Sequence, residues 1–179
     1  MKEDILKYIN KITKKATMPK RILEHFILMG TSTVSDIAKN IDVSLPTAAA
    51  ALNDLMVHGL VKEVGKKETT TGRIPMLYDL NPKAGYFVGA NPEMSHLALT
   101  ATDFCGNPIV EKTNVPYLYE NTVENLEQMG QILNQFIDSL PVKHEDILNV
   151  CVNIAERVNA HEGKTYTIFS FNEEPLSKR

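Results

Sequence analysis

Ser44, Pro46, Thr47, Ala49, Ala50 and Asn53 recur at a spacing that places them on one face of a helix. Such a set has no nucleophile paired with a base, but it can meet a nucleic-acid duplex. The hydroxyls of Ser44 and Thr47 can hydrogen-bond a phosphate or a base edge, and Asn53 can pair with adenine where it reaches. Ala49 and Ala50 have no hydrogen bond to give, so they can touch only a thymine methyl. Direct readout from this helix is therefore expected to be modest, with more dependence on the DNA backbone and on shape. Further on, Lys66-Lys67-Glu68-Thr69-Thr70-Thr71-Gly72-Arg73-Ile74-Pro75 forms a polar excursion. Lys66 and Lys67 can neutralise phosphates. Arg73, just after a glycine, is placed to enter a narrow, A·T-rich minor groove, where the negative potential is strongest.

The surrounding sequence supplies elements to position these groups. Residues 3–14 predict a short amphipathic helix with Ile5, Leu6, Ile9 and Ile12 on one face. Pro19 suits the first turn of a second helix with Ile22, Leu23, Phe26 and Ile27 as its buried stripe, and Gly30 ends it. Thr33 caps a third helix, with Asp36 three residues on favouring its positive end. A turn of about four residues leads to Ser44, a good N-cap, and Pro46 in the first turn of the next helix. Small residues, Ala38 and Ala48, let the two helices cross closely, and Leu52 and Leu55 face the core. Leu60–Val64 and Met76–Leu80 read as strands on either side of the polar excursion. Together, residues 19–80 read as a winged helix-turn-helix, and residues 1–82 as a DNA-binding domain.

From residue 83 the pattern changes. Strands are expected at Tyr86–Ala90, Leu97–Asp103, Ile109–Tyr117 and Ile147–Ile154, the last apolar enough to be central in a sheet. Asn121, with Glu124 three residues on, is expected to open a long helix carrying Val123, Leu126, Met129, Leu133, Phe136, Ile137 and Leu140. Gly163 turns a last hairpin reaching Tyr166 and Phe169. The fold class is α+β.

The net charge of −3 hides an asymmetry. Residues 1–73 hold 12 Lys/Arg and 8 Asp/Glu, a net of +4, whereas residues 74–179 hold 7 and 14, a net of −7. A basic N-terminal part can face a polyanion while the acidic remainder avoids it. No apolar run reaches the ~20 residues of a membrane helix, and the N-terminus lacks the apolar stretch of a signal peptide. Two cysteines, Cys105 and Cys151, do not make a disulfide framework, and the cytoplasm is the expected compartment. No Cys/His spacing suits zinc. None of His25, His58, His96, His144 and His161 has a catalytic partner at an interpretable spacing. Neither an enzyme nor a cofactor is expected.

Several segments resemble a known family. Ser44-Leu45-Pro46-Thr47, Leu52-Asn53-Asp54-Leu55 and Gly59-Leu60-Val61 are similar to the recognition helix of ROK-family regulators (repressors, open reading frames and sugar kinases). Thr71-Gly72-Arg73-Ile74-Pro75 resembles that family's Gly-Arg-x-Pro wing, and the run from Leu80 to Gly89 resembles its junction into a kinase-like domain. Arg157-Val158-Asn159, Gly163 and Phe169-Ser170-Phe171 resemble a later segment of that domain. The resemblance implies a winged helix-turn-helix on operator DNA, followed over residues 83–179 by a partial actin/hexokinase-like (ribonuclease H-like) α/β lobe that senses a sugar.

Four departures from the family pattern matter. Ala90-Asn91-Pro92-Glu93 replaces the family's Asp-x-Gly phosphate loop, and Ala155-Glu156 stands where a glycine-rich turn is expected. Ala49 and Ala50 replace polar residues of the recognition helix. The family's catalytic aspartate, sugar-contacting Glu and His, and cysteine-rich zinc motif would all lie beyond Arg179. The chain is thus expected to be a fragment or a short regulator, pairing as a homodimer to cover the lone lobe's apolar surface. Asn159 and Glu162 are the sugar-side candidates, with a sugar effector expected only for a complete kinase-like domain. The alternative reading is a winged-helix module that binds protein, which would lack the steep salt dependence of DNA binding.

Overall fold

The computed structural model describes residues 2–14, 17–68, 74–93, 95–120, 122–153, 158–159, 161 and 164–165. The chain divides into two compact units, Met1–Gly85 and Tyr86–Arg179. Among the described residues no helix is long and apolar enough to cross a membrane.

The first unit runs α1 (Lys2–Thr13), α2 (Met18–Met29), α3 (Val34–Asn40), α4 (Leu45–Val57), β1 (Val61–Lys66) and β2 (Met76–Leu80). Local chemistry sets most of the boundaries. Pro19 lies in the first turn of α2, where a missing N–H costs little. Thr33 and Asp36 form a complete capping box on α3: each side chain accepts from the other's backbone N–H. Helix α3 ends in a Schellman motif, with Val43 N–H donating to Ala38 O at 3.0 Å and Asp42 N–H to Lys39 O at 3.4 Å. The motif needs a left-handed residue, and Asp42 supplies it at φ 52°. Helix α4 ends the same way through Gly59 (φ 73°), with Leu60 N–H on Leu55 O at 3.0 Å.

Helices α2 and α3 both pack on α4. Ala38 and Ala48 are buried at the α3–α4 crossing, and Leu52, Leu55, Ile22, Phe26 and Ile37 fill the core. The buried face of α2 differs from the expected stripe. Ile27 is 71% exposed, and His25 takes the inward place beside Ile22 and Phe26 because its imidazole is satisfied by Ser32 at 2.9 Å. On α1, Tyr8 is buried together with Ile5 and Ile12.

Strands β1 and β2 pair antiparallel from Val61↔Leu80 to Lys66↔Met76, with a bulge between Glu63 and Gly65. Ser32 adds a single bridge to Tyr78 on the outer side of β2. This pins the α2–α3 connection to the ribbon.

The second unit contains β3 (Tyr86–Pro92), β4 (His96–Asp103), β5 (Pro108–Pro116), α5 (Val123–Asp138), β6 (Ile147–Val152) and the short pair β7 (Val158–Asn159) and β8 (Lys164–Thr165). The sheet order is β5-β4-β3-β6, with β6 parallel to β3 and the other pairs antiparallel. Val88, Ala90, Leu97, Leu99 and Ala101 face Met129 and Phe136 of α5 and Leu140 just beyond its end. Buried Asn125 anchors the start of α5: its Oδ1 accepts from the Tyr117 hydroxyl at 2.6 Å and from Glu120 N–H at 3.0 Å, and its Nδ2 donates to Leu118 O at 2.9 Å.

Two expectations for this unit are corrected. Thr122, one residue after Asn121, caps α5, accepting from Asn125 N–H. Strand β6 is an edge strand among the described residues rather than a central one, and Asn149, Val150 and Cys151 are exposed on it. Its backbone pairs with β3, and Ile147 and Val152 at its two ends pack partly buried against the core. Ile154, Gly163, Tyr166 and Phe169 lie outside the described residues.

Candidate nucleic-acid interface

The turn from α3 to α4 is four residues long, Ile41 to Ser44. Ser44 caps α4 by accepting from Thr47 N–H at 3.3 Å, and the two hydroxyls lie 2.7 Å apart. Arg21 of α2 donates to the carbonyl of Ile41, so the turn is held from below as well. With Ala48, Leu52 and Leu55 committed to the core, the helical period turns Ser44, Pro46, Thr47, Ala49, Ala50 and Asn53 outward. All six are exposed, as is Leu45. The expected site residues of this helix therefore share one solvent-facing surface.

The only carboxylate on α4, Asp54, is drawn away from that surface. It accepts from the Tyr8 hydroxyl at 2.5 Å, and His58 lies one turn on, stacked against the Tyr8 ring at 3.7 Å. Burial, and then Asp54, push the Tyr8 hydroxyl well above the ordinary phenol pKa. The exit end of α4 is thus tied to α1.

Lys66 ends β1 and is exposed. Lys67 is also exposed, but its ammonium lies 3.3 Å from Asp36 of the α3 capping box. The hydrogen bond from Thr33, ahead of the contribution from Lys67, holds the Asp36 carboxyl below its usual range. The spacing of 31 residues gave no sign of this contact in the sequence. Lys67 N–H also donates to Pro75 O at 2.9 Å, which closes the root of the excursion. Arg73 lies outside the described residues, as does Glu162. Asn159 sits opposite Lys164 in the β7–β8 pair.

No protein-family model matches the sequence. A candidate xylose repressor of Caldicellulosiruptor sp. (strain Rt8B.4) is 27% identical over 159 residues, covering 89% of this chain and 38% of that protein. The xylose repressor of Staphylococcus xylosus is 27% identical over 121 residues, covering 66% of this chain and 30% of that protein. That of Bacillus subtilis (strain 168) is 20% identical over 154 residues, 86% of this chain and 40% of that protein. The chain therefore spans about two fifths or less of the length of these relatives. A crystal structure of a ROK family transcriptional regulator, a homolog of the E. coli MLC protein, shares the fold with a TM-score of 0.57 at 14% identity. The match covers 89% of this chain and 40% of that one.

Proposed function

We propose that this chain, a relative of the xylose repressors with the fold of a ROK-family regulator, carries the operator-binding part of a sugar-related transcriptional repressor. The observation that carries the reading is the surface of α4. A helix entered through a four-residue turn presents six outward positions, none of them a carboxylate, beside an antiparallel ribbon. In this reading α3 and α4 are the helix-turn-helix, α4 enters the major groove, and β1–β2 is the wing. Residues 1–82 are the DNA-binding domain and residues 83–179 a partial kinase-like lobe.

Ser44, Pro46, Thr47, Ala49, Ala50 and Asn53 face the base edges. Lys66 and Lys67 meet phosphates, and Arg73 reaches the adjacent minor groove. The partner is double-stranded DNA, in the cytoplasm, bound by a homodimer. The exposure of Phe87, Ile109, Leu118 and Val150 on the second unit supports self-association. Asn159 and Glu162 stay candidates for the sugar side, with an effector bound only by a complete kinase-like domain. The relatives' names as repressors favour a regulator over an enzyme.

Selection of bound fragments from random duplex DNA tests the proposal. Enrichment of an A·T-containing inverted repeat is expected, its half-sites about one helical turn apart or a multiple of that. Failure to enrich any sequence would remove the reading.

A further inference from the structure

The outer face of α4 is unusual for a surface that must meet base edges, because its hydrogen-bonding side chains are few: the paired hydroxyls of Ser44 and Thr47 at its start, with one O–H between them left to donate, and Asn53 at its far end. The hydroxyls of Ser44 and Thr47 are 2.7 Å apart, and Ser44 is occupied by the Thr47 N–H as well. Asp54 is turned to Tyr8. Asn53 lies nine residues beyond Ser44, roughly 13 Å further along the helix axis. Most of what the first two turns present is hydrocarbon: Leu45 (53% exposed), the Pro46 ring, the Thr47 methyl, Ala49 and Ala50.

Apolar surface pressed on polar base edges loses water without gaining a bond. The major groove offers one apolar group in exchange, the C5 methyl of thymine. The helix itself carries no cation; exposed Lys39 on α3 and Lys62 and Lys66 on β1 supply positive charge beside it, against exposed Asp42 in the turn and Glu63 on β1.

We infer that the first two turns of α4 read thymine through its C5 methyl, with Ala49, Ala50 and the Thr47 methyl as the specificity-determining contacts. The helix then selects thymine by position within the half-site and makes few hydrogen bonds to bases. The inference rests on the reading of α4 as the recognition helix, and the occupant is duplex DNA.

Uracil replaces thymine without changing any hydrogen-bonding group and removes only the methyl, so the test alters the DNA and leaves the protein intact. The probe is the duplex that the full 179-residue chain enriches from a random pool. Thymines of one half-site are replaced singly by uracil, and binding is followed by fluorescence anisotropy at fixed salt. At the contacted positions each replacement is expected to weaken binding about fourfold, the worth of one buried methyl. Thymines outside the two half-sites should not respond.

Ala50→Ser, checked for folding by far-UV circular dichroism, should weaken binding to the thymine duplex and respond less to uracil. Equal affinity for thymine and uracil at every position would overturn the inference and leave DNA binding standing. Absence of any enriched duplex would overturn both this inference and the reading of α4 as a recognition helix.

Discussion

The Tyr8 hydroxyl donates to the Asp54 carboxylate at 2.5 Å while the Tyr8 ring stacks on His58 at 3.7 Å and an interplanar angle of 15°. One residue of α1 thereby holds two positions, one turn apart, at the end of α4. His58 is held from its own helix too, its Nδ1 lying 2.8 Å from Asp54 O. The first helix thus acts as a brace for the helix whose other end is proposed to meet DNA.

Tyr8→Phe keeps the ring stack and removes the hydrogen bond. It should cost about 1 kcal/mol, less than the roughly 1.5–3 kcal/mol of a bond to a charged group because the carboxylate is partly solvated. Asp54→Asn should cost a similar amount. The double variant should cost less than the two combined, since both remove the same contact. Thermal unfolding followed by circular dichroism measures all three. Strict additivity would mean that the contact carries no stability.

A second prediction concerns pH. Ser32 Oγ donates to Gly30 O at 3.0 Å, so it can only accept from His25, which fixes the His25 proton on Nε2. Burial holds the His25 pKa below the ordinary imidazole value, against a smaller opposing pull from Asp36. The unfolded chain therefore takes up the proton first as the pH falls. Stability contributed by neutral His25 is complete above about pH 6.5 and declines below it, toward the lowered folded pKa. His25→Gln should flatten the melting temperature between about pH 7 and 5 relative to the parent. An unchanged slope would assign that pH dependence to other groups.

The turn into α4 makes a third prediction. Ser44→Ala removes the N-cap and should cost about 1 kcal/mol. Asp42→Val places a β-branched residue at φ 52°, where L side chains other than Asn and Asp are strained, and should cost about 1–2 kcal/mol. Urea unfolding at constant m-value checks both. A neutral Asp42→Val would show that the turn adopts another backbone conformation.

Lys66 and Lys67 should differ in DNA binding despite being neighbours. Lys67 is engaged with Asp36, and both side chains are about half exposed, so the pair is worth at most about 1 kcal/mol. Lys66→Ala should lower the slope of log affinity against log salt by about 1. Lys67→Ala should lower it less, because part of the charge is already neutralised in the unbound protein. A larger effect at Lys67 would mean that Asp36 releases it fully on binding.

Signals that act over three or four residues were legible in the sequence. The Thr33/Asp36 box, the Ser44 cap with Pro46 behind it, and the outward set from Pro46 to Asn53 depend on local bonds and helical period alone. Neighbouring candidates one residue apart were harder, since Asn121 and Thr122 can both cap and only the structure shows which one does. The burial of His25 in place of Ile27 needed a partner seven residues away. The Tyr8–Asp54 and Lys67–Asp36 contacts join residues 46 and 31 positions apart and leave no periodic trace. Strand β6 read as central because its composition is apolar, but strand order is a long-range property that composition does not encode.

The most direct measurement is a salt series of anisotropy titrations on the enriched duplex, with the parent chain and Ala50→Glu side by side. Contact between α4 and the groove predicts a linear fall of log affinity with log salt, with a slope steeper than about −2. It also predicts that a carboxylate in the middle of the outer face weakens binding at least about tenfold at every salt. A flat salt response, together with an Ala50→Glu variant that binds as well as the parent, would contradict the account.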